Sequence, residues 1–167
     1  MDFILPKIDV GKEGTGLFTL YKILVFIHIF SAILGMGPGF ILSRLVKSAR
    51  NMTELRHAYA IKHNLHIFVM IGGTSLLITG LLMGAINPSL FQAGWYWTSL
   101  ILFFIALAMG PIVLKPKSKP IKSLLEKTSG EEIPKEYYPL SKVLFSLERL
   151  INILFLVIIA LMILKPF

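Results

Sequence analysis

Four long, predominantly apolar runs, Leu20 to Leu45, Leu65 to Ile86, Trp95 to Leu114 and Leu140 to Leu164, dominate this sequence. A helix needs about 20 apolar residues to cross a hydrocarbon core, and each run supplies them. Backbone polar groups in lipid must be satisfied within the segment, which leaves the α-helix as the structure for such a run. The whole chain agrees: 167 residues that are 55% hydrophobic, with a mean hydropathy of +0.75, carry too little polar surface for a soluble domain. The sequence therefore predicts an all-α integral membrane protein, an antiparallel bundle of four helices.

Charge gives the bundle a direction. Thirteen of the seventeen Lys and Arg residues lie in 44–62 and 115–149. Basic flanks mark the cytoplasmic side, so both termini are expected outside the cytoplasm. Residues 1–19 then form an extracytoplasmic tail carrying Asp2, Lys7, Asp9, Lys12 and Glu13, and 20–167 form the transmembrane domain. The uncharged turn NPSLFQAG with Trp95, Tyr96 and Trp97 suits an outer hairpin anchored at headgroup level. Residues 115–139 mix Pro, Lys and Glu without apolar periodicity, the pattern of a cytoplasmic linker. The net charge of +8 belongs to this topology and not to nucleic-acid binding, because the basic residues lie between the spans and no nucleic-acid motif accompanies them. The absence of cysteine excludes disulfides, thiolate metal sites and covalently attached haem.

Small residues let membrane helices approach closely, so they mark inward faces. In the first span Tyr21, Leu24, His28, Ala32, Gly35, Gly39 and Leu42 share one face at 100° per residue. In the second, His66, Gly73, Gly80 and Gly84 form a stripe, with Ser75 and Thr79 expected opposite it. Ser99, Phe103, Ala106 and Gly110 mark the third, and Ser141, Leu144, Glu148, Asn152 and Phe155 the fourth. Pro38 removes a backbone donor and crowds the Leu34 carbonyl, which predicts a bend in the first helix.

His28 is the residue that most needs a reason, because an ionisable group within a hydrocarbon span is costly unless it faces protein. Two readings are open. It is either a neutral histidine bonded to a Ser or Thr across the bundle, or an axial ligand of haem b, with the bare backbone of Gly35 and Gly39 facing the porphyrin. His66 is the candidate second ligand, but it lies roughly 18 Å from His28 along the membrane normal, too far for one iron. A twofold dimer through the Gly35/Gly39 face would instead bring two copies of His28 to one depth. His63 and His66, three apart, form a weaker candidate metal pair at the cytoplasmic end. Glu148 in the fourth span needs a cation, and Arg44 at the same level is the expected partner, giving a polar cytoplasmic cluster of Arg44, His63, His66 and Glu148. The seven methionines show no closely spaced pair of the copper-binding kind.

The segment YKILVFIHIFSAILGMGPGFILSRLVKSAR and the later GGTSLLITGLLMG resemble an uncharacterised family of small four-span bacterial membrane proteins. The features that carry the resemblance are His28 two turns before Gly35, the basic exit at Arg44 and Lys47, and the Thr79-Gly80 pair. More distantly, the pattern is similar to HemJ-type protoporphyrinogen oxidases and the CopD membrane domain, where a first-helix histidine precedes a glycine. That resemblance implies haem at His28 and a bacterial plasma-membrane location. GPGFILSRL replaces the aromatic-rich exit of HemJ, so the oxidase activity does not transfer with it. Three functions are thus expected in order: a haem b protein in electron transfer, haem handling or redox or gas sensing, with a membrane redox partner; a membrane interaction or small-molecule transport protein without cofactor; and a HemJ-like oxidase.

Overall fold

The fold was analysed in a computed structural model, which describes residues 12–166. The chain is helical throughout, without strands among the described residues. Four helices are long and apolar enough to cross a membrane. Helix α1 spans Lys12–Lys47 and α2 spans Met52–Ile86. After a 3-10 turn at Pro88–Gln92, α3 (Gly94–Met109) runs through a π-helical turn at Gly110–Leu114 into α4 (Lys115–Lys127), and α5 (Tyr137–Leu164) completes the bundle.

Local chemistry explains the boundaries. Asn51 caps α2, its side chain accepting from the Glu54 N–H at 2.8 Å, while the Glu54 carboxylate accepts from the Arg50 N–H at 2.7 Å. Pro88 opens the 3-10 turn, where its missing N–H costs nothing. Pro111 has no N–H for the Leu107 carbonyl and its ring crowds that oxygen. The chain relieves the clash by widening, with the Lys115 N–H reaching the Gly110 carbonyl five residues back. Helix α1 continues through Pro38 without a break in its assigned span.

Two antiparallel hairpins make the bundle. In the first, α1 lies on α2 with backbone almost touching backbone. A Cβ at Gly35 would stand 3.0 Å from the Gly73 nitrogen, and one at Gly72 would lie 2.6 Å from the Gly35 Cα. In the second, α3 packs on α5 around Phe103 and Ile158. The hairpins join where Asn152 donates to the Gly39 carbonyl at 3.0 Å and Ser43 donates to Glu148 at 2.7 Å. Phe26, Ile33, Ile41, Ile112 and Ile163 are each more than 60% exposed on the outside, as lipid contact requires. Four spans place the start of α1, the 87–94 turn and the end of α5 at one end, where Lys165 lies 5.5 Å from the Trp95 ring centroid.

The expected faces of the first, third and fourth spans are the buried ones: Tyr21, Leu24, Gly35, Leu42, Ser99, Phe103, Ala106, Ser141 and Leu144 are all inward. The second span is turned relative to expectation. Of the expected stripe Gly84 is buried, Gly73 and Gly80 are half-buried and His66 is exposed, whereas Gly72, Leu76 and Thr79, the last expected on the opposite side, are buried. The glycine that fits against Gly35 is Gly72, one residue before the expected Gly73.

The segment 115–139, expected to be a linker without apolar periodicity, contains a helix with a buried apolar side. It begins with α4, whose Ile121 and Leu125 are fully or nearly buried, one turn apart. They join Val46, Met52, Leu55, Tyr137 and Leu144 in a second core at the basic end. Arg56 holds the end of α4 by donating to the carbonyls of Leu125 and Thr128, acceptors that a helix C-terminus leaves open. Helix α1 starts at Lys12, eight residues before the expected first span, and the remainder of the expected tail, including Asp2, Lys7 and Asp9, lies outside the described residues.

Candidate functional site

His28 is half-buried on α1, toward the aromatic end of the bundle. Its Nδ1 lies 2.8 Å from Thr79 Oγ1 on α2. That threonine also reaches the Ser75 carbonyl at 2.7 Å and the Leu76 carbonyl at 3.2 Å, the helix acceptors that a threonine hydroxyl ordinarily bonds. A hydroxyl has one proton to give, and when the helix takes it, its oxygen must accept from the ring. The Nδ1–H tautomer follows, with the lone pair on Nε2. One turn along, Ser31 donates to Ser75 at 2.8 Å, so two polar bonds clamp α1 to α2 beside the Gly35–Gly72 contact.

The imidazole forms part of the wall of an apolar cleft of about 530 Å³ between the two hairpins. Met36 and Gly37 from α1, Gly80 from α2, Phe103 from α3 and Met162 from α5 also line it. A Cβ at Gly80 would sit 3.4 Å from His28 Cε1, so the ring rests on that bare backbone. Tyr96 closes the aromatic end by donating to the Gly80 carbonyl at 3.1 Å, and Gly84 leaves room for its hydroxyl, which would be 2.7 Å from a Cβ there.

The other expected site residues disperse. Gly35 lies against α2 and Gly39 against Asn152 of α5, and neither lines the cleft. The glycine beside His28 is Gly80, and Gly37 lines the same cleft further along α1. His63 and His66 are exposed on α2, and no group of three or more metal-binding side chains occurs among the described residues. Glu148 pairs with Lys62 and not with Arg44, because Ser43 is the residue of α1 turned toward α5 and Arg44 projects outward. Lys62 and Glu148 are 21% and 14% exposed, an ion pair at the rim of the span. The sequence reading put Gly80 in the inward stripe and Thr79 on the opposite side of it, so it missed Thr79 as the partner of His28, and it named neither Lys62 nor Ser43 as a partner of Glu148.

A family model described as "Predicted integral membrane protein (DUF2269)" matches residues 22–166. The chain belongs to that family. The match takes in most of the first span, the other three spans and every residue that lines the cleft. No curated protein and no solved structure matches the chain. The likeness to a small four-span membrane family thus has a match behind it, whereas that to HemJ and CopD rests on the motif alone.

Proposed function

We propose that this protein binds haem b in the cleft between its hairpins, with His28 Nε2 as an axial ligand. The observation that carries the reading is the Thr79 bond. A hydrogen bond at Nδ1 fixes the ring and leaves the other nitrogen unprotonated, which is how proteins prepare a histidine for a metal. The rest of the cleft suits the same guest: its volume lies within the range of cofactor sites, its walls are apolar, and Gly80 keeps the backbone bare beside the imidazole while Gly37 does so further along the wall. Met36 and Met162 line the same space and offer a thioether as a second ligand. Bound haem would supply one-electron transfer or gas binding, and the chain's own part is to orient the imidazole and exclude water. In this reading the basic end faces the cytoplasm across a bacterial plasma membrane, and electrons pass to a membrane partner near the opposite face.

A second reading has its own observation. The Thr79 bond by itself satisfies one polar atom of His28, as a purely structural histidine requires, and the cleft would then admit a lipid or another apolar molecule without cofactor. Absorption spectra separate the two. Protein purified from haem-replete cells should show a Soret band that disappears in His28→Ala. Colourless wild-type protein, or a band unchanged in the variant, would remove haem from this site.

A further inference from the structure

We propose that a second cleft, at the basic end, holds the phosphate of an anionic phospholipid headgroup. The cleft is about 370 Å³ and is lined by Lys47 from α1 and by Ser141, Lys142, Phe145, Ser146 and Arg149 from α5. Lys142 and Arg149 are two helical turns apart and so share a face of α5. Lys47 meets them from the last turn of α1, its ammonium 4.9 Å from the Phe145 ring centroid. Three cations therefore converge from two helices on one concavity. The ion pairs among the described residues are Lys62–Glu148 and Lys122–Glu126, and neither includes any of the three. Gathering like charges costs energy that an anion between them offsets.

Depth identifies the anion. Lys142 and Arg149 stand 22 and 15 residues before Leu164, the end of α5 beside the aromatic turn. At 1.5 Å per residue they lie about 33 and 22 Å from that end, on either side of the roughly 30 Å hydrocarbon thickness. The cleft is thus at the level of lipid phosphates. Val143 and Leu150, each 47% exposed, follow the same helix and give the acyl chains apolar surface to lie on. Basic pockets between helices at this level are suited to anionic headgroups. The inference is independent of haem, since the two clefts share no lining residue.

Native mass spectrometry of the full chain, titrated in detergent with phosphatidylglycerol, phosphatidylcholine or inorganic phosphate, tests it. Phosphatidylglycerol should bind in preference to phosphatidylcholine. Affinity should fall about fivefold for each cation removed, in Lys142→Gln, in Lys47→Gln and again in the Lys142→Gln, Arg149→Gln pair. Lys117→Gln with Lys119→Gln, an equal loss of charge on α4, should leave it unchanged. Wild-type affinity in the Lys142, Arg149 pair, equal binding of phosphatidylcholine, or an equal loss from the α4 pair would overturn the proposal. Displacement of the lipid by equimolar inorganic phosphate would overturn the lipid assignment in favour of a free-phosphate site. Lys142 and Arg149 are exposed, so their variants keep the packing, and the Lys47 variant repeats the test from a different helix.

Discussion

Gly72 and Gly73 are neighbours in sequence with opposite surroundings. A Cβ on Gly72 would run into the backbone of Gly35 and Ser31, while one on Gly73 would meet nothing within 4 Å. Gly72→Ala should therefore cost about 1–3 kcal/mol through overpacking of the α1–α2 contact. Gly73→Ala should stay within about 0.5 kcal/mol of wild type. Melting temperatures of the two purified variants check the pair, and equal melting would contradict the packing. The same adjacency explains why the inward stripe of this helix was misplaced by one residue. Either glycine begins a stripe of small residues along α2, and only the partner surface around Gly35 selects between them. Glu148 illustrates the same limit. Its need for a cation is legible from burial cost, but Arg44 and Lys62 both lie near its level, and the turn of α1 that presents Ser43 decides for Lys62.

At the scale of elements, the four spans were legible because each run exceeds the length that a bilayer demands, a constraint that no local context overrides. Helix α4 was not. Its three prolines nearby, Pro111, Pro116 and Pro120, and its six charged residues over 115–127 conceal the Ile121, Leu124 and Leu125 face that packs on the second core. A helix this polar is held by what it touches, and Arg56 is its tie at the C-terminus. Arg56→Ala should leave those carbonyls to water and loosen α4 without unfolding the spans. The expected outcome is faster amide hydrogen exchange across 115–136, with exchange in α1 and α5 unchanged, as measured by mass spectrometry. Uniform exchange in the variant and the wild type would show that the apolar face alone holds the helix.

At the scale of the molecule, the bundle is two tight hairpins with a looser seam between them, and the 530 Å³ cleft lies in that seam. His28 was legible as the residue in need of an explanation, because a lone imidazole in hydrocarbon stands out against its neighbours. The cleft was not legible, since apolar walls look the same in sequence whether they close on each other or leave a gap. The direction expected from charge asymmetry has a direct check, because the chain contains no cysteine of its own. A single cysteine at Gln92 should react with an impermeant thiol reagent added to intact cells, and one at Ser129 should react only after lysis. The reverse pattern would invert the bundle and place the His28 cleft toward the cytoplasmic face.

The measurement that bears most directly on the account is a titration of haem into purified protein, read at the Soret band, for wild type, His28→Ala and Thr79→Val. Wild type should saturate at one haem per chain. His28→Ala should lose the bound spectrum, and Thr79→Val, which leaves the ligand but frees its Nδ1, should weaken binding by about 10–100-fold. Titrations that superimpose for all three proteins would contradict a haem site at His28.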